Sequence, residues 1–246
     1  MTHTPSHALR VDGFTKSYRR VRALDGVSFG VRPGEVLGLI GPNGAGKTTL
    51  FESLAGVLPL DSGVVHHGDR PVPLADRASL IFYMPDGIAP WPQQPVGWAL
   101  DYAIGFFGGA ANQRDAVVRE LDLAPLLDAP IGTLSKGQRK RALLAVALVT
   151  PHPFLLVDEP FDGLDLRQTR EVAGVLRSHA SDGRTLFLSI HQIADAERVC
   201  DRFVLLSGGR VRGEGTLDEL KTRASGAVPA GSGPAIGLEE VFLALT

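Results

Sequence analysis

The nine residues that decide the fold read Gly41-Pro42-Asn43-Gly44-Ala45-Gly46-Lys47-Thr48-Thr49. An apolar run at residues 36–40 precedes them, and a helical pattern at residues 48–58 follows and stops at Pro59. The glycines let the backbone curl so that successive N–H groups point at one anion, and the start of the helix adds its positive dipole end. A strand, a glycine-rich loop and a helix in this order predict a loop that cradles the phosphates of ATP.

Each side chain with chemical function in this phosphate loop has its own predicted role. Lys47 reaches the β- and γ-phosphates, and the hydroxyl of Thr48 completes the ligand shell of Mg²⁺. Hydrolysis also needs a carboxylate for the ion and a group that orients the attacking water. The nucleotide-binding residues predicted in the loop are Gly41, Pro42, Asn43, Gly44, Ala45, Gly46, Lys47, Thr48 and Thr49.

Polar residues follow two further apolar runs, which are predicted to be strands. Asp158 and Glu159 follow residues 154–157, and His191 follows residues 186–190. Because ligands gather at the carboxyl ends of parallel strands, we expect these residues to meet the phosphate loop at one edge of the sheet. We expect Asp158 to hold Mg²⁺ through water, Glu159 to act as general base, and His191 to contact the γ-phosphate or the attacking water.

The rest of the chain alternates strand-like and helix-like segments, a pattern typical of a mostly parallel sheet flanked by helices. Short strands near residues 9–11 and 24–31 predict a small antiparallel sheet. Residues 85–130 predict a loop followed by a mainly helical insertion, with helix-like stretches at residues 96–107 and 113–127. The predicted fold class is therefore α/β: a P-loop NTPase core with a mostly parallel sheet, a small antiparallel β subdomain and a helical insertion.

The predicted domain organisation is one nucleotide-binding domain over residues 1–222, with its helical subdomain at about residues 86–150. Residues 223–246 are predicted to be a flexible linker and a short C-terminal tail, because residues 224–237 are rich in Gly, Ala and Pro.

Composition and charge are those of an ordinary globular protein, with 44% hydrophobic and 21% charged residues. The 25 basic and 27 acidic side chains give a net charge of −2, so no broad attraction to nucleic acid or anionic lipid is expected. The single cysteine, Cys200, excludes an internal disulfide and fits a reducing compartment. No secretory signal or membrane-spanning stretch is evident, so any membrane role is expected to come through a partner.

A second motif, Leu134-Ser135-Lys136-Gly137-Gln138, resembles the signature of ATP-binding cassette (ABC) proteins, usually written Leu-Ser-Gly-Gly-Gln. Together with the phosphate loop and the strand-end residues, it makes the chain from about residue 9 to residue 214 resemble the nucleotide-binding subunit of an ABC transporter. The resemblance implies that two cassettes, alike or different, pair head to tail and enclose ATP between the phosphate loop of one and the signature of the other.

The resemblance also assigns roles to three residues outside these motifs. Tyr18 stands where the family places an aromatic residue that stacks on adenine, and Asp165 lies in the segment at residues 161–165 that contacts the opposite subunit. Asp86 departs from the family pattern, because it stands where the glutamine loop has Gln. A carboxylate can still contact Mg²⁺ or water, so Asp86 joins Thr48 and Asp158 as a predicted metal-binding residue.

The signature opens the clearest predicted helix, at residues 135–149, because Ser135 and Gln138 form a capping box. Cations near the start of a helix oppose its dipole by roughly 0.3–1 kcal/mol each, and a docked phosphate would relieve that conflict. A solvated basic face is the alternative, and Lys140 and Arg141 are its best candidates. The cations in the first turns are Lys136, Arg139, Lys140 and Arg141.

The function implied by the resemblance is an ATPase subunit that drives a substrate through a separate integral membrane permease from the inner face of the cell membrane. Residues 238–246 resemble the ending of cassettes that serve multidrug- or lipid-export permeases, which favours export. A soluble ABC ATPase that remodels nucleic-acid or protein complexes is the alternative. It is disfavoured because the chain has no long coiled-coil insertion, tandem cassette or strongly basic extension, and no nucleic-acid partner is expected.

Two groups of side chains have open interpretations. Aromatic residues lie in the insertion where the family docks its permease, and core packing is the default for them, with a partner groove as the alternative. These residues are Trp91, Trp98, Phe106 and Phe107. His66 and His67 have no further ligands at a suitable spacing, so we expect surface histidines rather than a metal site.

Overall fold

The computed structural model describes residues 8–109, 111–225 and 237–246, which form two sheets and the helices around them. The strands are β1 (Leu9–Tyr18), β2 (Val21–Val31), β3 (Val36–Ile40), β4 (Ser62–His67), β5 (Arg70–Val72), β6 (Ile81–Met84), β7 (Phe154–Asp158), β8 (Thr185–Ser189), β9 (Arg202–Ser207) and β10 (Arg210–Gly215). The helices are α1 (Lys47–Leu54), α2 (Arg77–Leu80), α3 (Val96–Phe107), α4 (Ala111–Glu120), α5 (Lys136–Leu148), α6 (Leu166–Ser181), α7 (Ile193–Val199), α8 (Leu217–Ser225) and α9 (Leu238–Leu245).

The larger sheet has the strand order β10-β9-β3-β8-β7-β6, and only β10 runs antiparallel to its neighbour. The smaller sheet, β2-β1-β4-β5, is antiparallel throughout. The predicted α/β fold with a mostly parallel sheet and an antiparallel subdomain is therefore confirmed. Because β3, β7 and β8 are parallel neighbours in this sheet, the residues that follow them lie at one edge.

Two hydrophobic cores lie on opposite faces of the larger sheet. Alternate residues of β3 show this arrangement, because successive side chains of a strand point to opposite faces. Leu37 and Leu39 pack with α1 and the antiparallel sheet, whereas Val36 and Ile40 pack with the helices on the other face. The phosphate loop follows this doubly buried strand, so its position is fixed from both sides.

Two predicted helices end earlier in the structure than the sequence pattern indicated. The helix predicted at residues 48–58 ends at Leu54, because Gly56 adopts a left-handed backbone with a φ of 83° shortly after it. The helix predicted at residues 113–127 divides into α4 and a short 3₁₀ turn at Ala124–Leu126. Both differences lie at helix ends, where local turn geometry overrides periodicity.

The carboxyl-terminal segment packs onto the domain. Helix α8 runs through Ser225, across the predicted boundary at residue 222, and Leu238 and Val241 of α9 are buried in the same core as Leu220 of α8. Residues 226–236, most of the predicted linker, lie outside the described residues. The division into a domain and a flexible tail stays a prediction. No helix among the described residues is long and apolar enough to cross a membrane.

The aromatic residues of the helical insertion lie mostly at the surface. Phe107 packs edge-on against Phe82, so core packing holds for this residue. The default expectation of core packing is wrong for the other three, because 39% of Trp91, 39% of Trp98 and 67% of Phe106 remain exposed. Trp98 and Phe106 reach solvent because α3 turns only one face, which includes Leu100, towards the core, and Trp91 lies in the loop before α3.

Candidate active site

A pocket of about 400 Å³ opens at the edge of the larger sheet where the phosphate loop meets the ends of β7 and β8. Residues from distant parts of the chain line it together, as the strand-end argument predicted. Ala23, on β2, also lines the pocket and was not predicted. The predicted residues that line it are Tyr18, Pro42, Asn43, Gly44, Gly46, Lys47, Thr48, Thr49, Asp86, Asp158, Glu159 and His191.

The phosphate loop is held in shape by close backbone approaches and by its own lysine. Gly46 caps α1 with a φ of 105°, and a Cβ atom there would lie 2.5 Å from the carbonyl oxygen of Ala23. Lys47 Nζ donates to the carbonyl oxygens of Gly41 at 2.7 Å and Pro42 at 3.3 Å. Burial lowers the pKa of Lys47, and the negative charges of the neighbouring carboxylates oppose that shift. The ammonium group is thus placed at the opening of the loop, where phosphate oxygens would dock.

Asp158 is positioned by a buried serine that the sequence reading missed. Asp158 ends β7, and the Oγ of Ser189, at the end of β8, donates a hydrogen bond to Asp158 Oδ1. Ser189 also accepts from the backbone N–H of Glu159 at 3.2 Å. The only sequence signal was a hydroxyl residue inside the apolar run before His191. Ser189 therefore joins the two strand ends and fixes the direction of both carboxylates.

Glu159 has a strained backbone and a carboxyl group with a raised pKa. Its φ of 51° lies in the left-handed region, which a residue other than glycine occupies only when its surroundings enforce it. Burial and the charge of Asp158 raise the pKa of Glu159 to about 7, against the opposing effects of Lys47 and of hydrogen bonds. A carboxylate with this pKa exchanges a proton near neutral pH, as a general base must.

His191 lies beside Glu159 at the same edge of the sheet. Its backbone N–H donates to Glu159 Oε2 at 3.2 Å, and its Nε2 lies 3.1 Å from Glu159 Oε1. Half of the His191 side chain is exposed to the pocket side. The geometry places an imidazole where it can contact both the general base and a bound phosphate.

The oxygen donors in the pocket fit a magnesium ion. The hydroxyl-bearing Thr48 and the carboxylate-bearing Asp158 line the same pocket as Lys47. Within the part of the chain that the structure describes, no cluster of three or more His, Cys, Asp or Glu residues could hold a metal. An ion held by few protein oxygens takes its remaining ligands from phosphate and water, which is how Mg²⁺ is usually bound.

Asp86 lines the pocket but has a partner that the sequence did not predict. Lys140 Nζ donates to Asp86 Oδ1 at 2.7 Å, and the Lys140 side chain is only 6% exposed. Burial favours the protonated form of Asp86, but the hydrogen bond and charge of Lys140 outweigh it and lower the pKa. The structure therefore places Asp86 in an ion pair with Lys140 of α5, the helix that begins within the signature, and the contact of Asp86 with Mg²⁺ stays a prediction.

The solvated basic face suggested for Lys140 and Arg141 is wrong. Both residues are buried, because α5 is packed into the core from Lys140 through Leu148. The guanidinium of Arg141 donates to the carbonyl oxygen of Leu121 at 2.9 Å. Each cation thus has a specific partner inside the fold, as buried charges require.

Breaking the Asp86–Lys140 pair is expected to destabilise the subunit. Lys140→Met leaves a partly buried carboxylate without its partner, so we expect a loss of about 1–2 kcal/mol in the free energy of unfolding, measured by urea denaturation. Adding Asp86→Asn should restore part of that loss, because both charges are then removed. Arg167→Met, in the exposed Arg167–Glu171 pair, is the control and should leave the free energy of unfolding nearly unchanged. Simple additivity of the two substitutions would disprove the coupling.

The signature forms the predicted cap of α5, outside the nucleotide pocket. Ser135 Oγ accepts from the N–H of Gln138 at 3.2 Å, and the Ser135 N–H donates to Gln138 Oε1 at 2.9 Å. Among the described residues that line the pocket, none belongs to residues 134–138. Ser135 and Lys136 are exposed, whereas Leu134 and Gly137 are buried. The structure thus separates the signature from the phosphate loop of the same chain.

Tyr18 and Asp165, assigned by resemblance, lie in different surroundings. Tyr18 ends β1 at the rim of the pocket, where 45% of it is exposed, and Lys16 Nζ lies 5.8 Å from its ring centroid. Asp165 caps α6 by accepting from the N–H of Gln168 at 2.8 Å. It does not line the pocket. Stacking on adenine and contact with an opposite subunit both stay predictions for these residues.

Comparison with known proteins identifies the family. The sequence model of the ABC transporter family matches residues 24–162, more than half of the chain. The chain belongs to this family. It is similar to the Nod factor export ATP-binding protein I of Paraburkholderia xenovorans (strain LB400), with 36% identity over 225 residues, 88% of this chain and 73% of the relative.

Two further proteins match this ABC subunit over nearly its whole length. The manganese transport system ATP-binding protein MntA of Synechocystis sp. (strain ATCC 27184 / PCC 6803 / Kazusa) is 31% identical over 245 residues, 95% of this chain and 94% of the relative. A solved ATP-binding subunit of an ABC transporter superposes with a TM-score of 0.85 at 28% identity, covering 97% of this chain and 99% of that chain. The protein is an ATP-binding subunit of an ABC transporter, and it hydrolyses ATP to power transport.

Proposed function

We propose that the ABC subunit binds ATP with Mg²⁺ in its own pocket and completes that site with the signature of a second cassette. The proposal rests on the separation of the phosphate loop from the signature within one chain. The pocket holds the phosphate loop and Glu159, but the exposed Ser135 lies outside it. A second cassette, either another copy of this chain or a related one, would bring its own signature to the pocket in a head-to-tail pair.

The residues of the pocket divide the chemistry among them. Lys47 and the backbone N–H groups of the loop bind the β- and γ-phosphates, and Tyr18 stacks on adenine. Thr48 and Asp158 would hold Mg²⁺, which neutralises negative charge on the phosphates when it is bound. Glu159 accepts a proton from the attacking water, and Ser189 and His191 keep its carboxylate directed at the phosphate.

The exposed aromatic cluster of Trp91, Trp98, Tyr102 and Phe106 supports a partner in the membrane. Trp98 and Tyr102 stack with centroids 5.1 Å apart, and Tyr102 and Phe106 stack at 5.7 Å. A contiguous aromatic surface of this kind is typical of a protein interface. We propose that it receives a membrane permease, which would place the subunit on the inner face of the cell membrane.

Export is the proposed direction of transport. Residues 238–246 resemble the endings of export cassettes, and the Nod factor relative carries export in its name. The manganese relative is named only for transport, so it does not specify a direction.

Purification from solubilised membranes tests the permease proposal. We expect an integral membrane protein to copurify with the wild-type chain. The double variant Trp98→Ala, Phe106→Ala should bind at least about tenfold less of this membrane protein, because buried aromatic contacts dominate interfaces. ATP binding should be unchanged in this variant. Val57→Ala, which shortens a side chain that is 69% exposed outside the cluster, is the matched control. Recovery of soluble partners alone would contradict the proposal.

A further inference from the structure

The nucleotide pocket has more acidic than basic side chains in its wall. Asp86, Asp158 and Glu159 line it, and Lys47 is the only lysine or arginine among the described residues that do so. The triphosphate of ATP adds further negative charge, and like charges repel more strongly in a partly enclosed pocket than in bulk water. Asp86 therefore opposes the binding of ATP unless a cation outside the pocket wall compensates its charge.

Lys140 supplies such a cation from the interior of the fold. Its side chain is buried on α5, and its Nζ donates to Asp86 Oδ1 at 2.7 Å and to the carbonyl oxygen of Asp158 at 3.5 Å. Asp86 follows β6 and Asp158 ends β7, so one ammonium group contacts the ends of two neighbouring strands. Lys140 itself does not line the pocket. It can thus cancel the charge of Asp86 without contacting the nucleotide.

Two other cations near the start of α5 have different partners. Lys136 pairs with Asp162, and the guanidinium of Arg141 donates to the carbonyl oxygen of Leu121. Lys140 is the cation whose ammonium group is in direct contact with Asp86. The carboxylate and the ammonium together carry no net charge, so the pair presents a neutral group to the pocket at the position where the family resemblance places glutamine.

We propose that Lys140 is a positioning residue for nucleotide binding, which acts through Asp86. By cancelling the charge of this carboxylate from behind the pocket wall, it lets the phosphates of ATP approach Lys47. This role rests on the proposed binding of ATP in the pocket. It differs from a purely structural ion pair, because the two partners have opposite effects on the affinity for an anion.

Substitution of each partner tests the charge balance. The dissociation constant of ATP is measured by isothermal titration calorimetry in EDTA, so that Mg²⁺ does not contribute. Lys140→Met should raise this constant by about tenfold, because the negative charge of Asp86 is then uncompensated beside the phosphates. Asp86→Asn should lower the constant by about threefold, because the positive charge of Lys140 is then uncompensated. The double variant should return close to the wild-type value.

Two further measurements separate the effect of charge from an effect of structure. Lys140→Arg keeps the positive charge and should bind ATP nearly as the wild type does. The effects of Lys140→Met and Asp86→Asn should both shrink between about 50 mM and about 500 mM salt, because salt screens interactions between charges. A purely structural pair predicts that both single variants weaken ATP binding at every salt concentration. If Lys140→Met does not fold, the sign of the Asp86→Asn effect decides between the two accounts.

Controls separate failure of the charge balance from failure of the proposed pocket. The Arg114–Asp101 pair does not line the pocket, and the matched substitutions Arg114→Met and Asp101→Asn should leave ATP affinity unchanged. Equal ATP binding by the wild type and Lys47→Met would contradict binding in the pocket itself. If Lys47→Met abolishes binding but the Lys140 and Asp86 variants weaken it alike or leave it unchanged, only the charge balance is wrong. Tighter binding by Lys140→Met would also overturn it.

Discussion

Glu159→Gln is expected to slow ATP hydrolysis by about 100- to 10,000-fold, the usual contribution of a general base. The amide keeps the shape of the side chain but cannot accept a proton from water. The phosphate loop is unchanged, so ATP should still bind, and dimers that contain ATP should accumulate. A phosphate-release assay measures turnover, and size-exclusion chromatography with ATP measures the dimers. Glu171→Gln, at an exposed carboxylate of α6, is the control and should hydrolyse ATP normally.

The effect of Glu159→Gln on the stability of the subunit should depend on pH. The pKa of Glu159 in the folded subunit, about 7, lies above the ordinary value of 4.5, so the folded state binds the proton more tightly than the unfolded state. The stability that Glu159 contributes is therefore present below pH 4.5 and is lost as the pH rises through about 7. Glu159→Gln should raise the melting temperature of the nucleotide-free subunit more at pH 8 than at pH 5. Unchanged turnover of Glu159→Gln, together with a change in melting temperature that is the same at pH 5 and pH 8, would exclude Glu159 as the base.

Ser135→Arg is expected to abolish hydrolysis while leaving ATP affinity of the isolated subunit unchanged. Ser135 is exposed and lies outside the pocket of its own chain, so a bulky cation there cannot block the phosphate loop beside Lys47. It should instead obstruct the ATP of the opposite cassette. Isothermal titration of the monomer measures the affinity, and a phosphate-release assay measures the turnover.

A second substitution at Ser135 controls for loss of the helix cap. Ser135 accepts a hydrogen bond from Gln138, so any residue without an acceptor there costs about 1 kcal/mol of stability. Ser135→Ala removes the cap without adding bulk, and it should retain most of the turnover that the arginine variant loses. Weakened binding of ATP to monomeric Ser135→Arg would show that the signature acts within its own chain.

The parts of the site that depend on local sequence could be predicted. The phosphate loop follows from the spacing of glycines between an apolar strand and a helix, and the cap of α5 follows from Ser135 and Gln138. The meeting of Asp158, Glu159 and His191 followed from one topological rule, because residues after parallel strands share an edge. Each of these inferences needs only neighbouring residues or the strand order.

The parts that depend on contacts between distant residues could not be predicted. In the sequence, Ser189 is only a hydroxyl residue within an apolar run. Its hydrogen bond to Asp158 depends on the pairing of β7 with β8. From the sequence, Lys140 and Arg141 are the best candidates for the alternative of a solvated basic face, because a cluster of charges normally faces water. They are buried because α5 is surrounded by the core, where Asp86 and backbone carbonyls supply their partners. Periodicity does not reveal such partners.

A mixture of two inactive variants tests most directly whether two copies of this chain share each ATP site. In a mixed dimer of Glu159→Gln and Ser135→Arg subunits, one site combines the intact pocket of the Ser135→Arg subunit with the intact signature of the Glu159→Gln subunit. The other site carries both defects. Head-to-tail pairing predicts that the mixture hydrolyses ATP although neither variant does so alone. A mixture as inactive as its components would contradict a site shared between two copies.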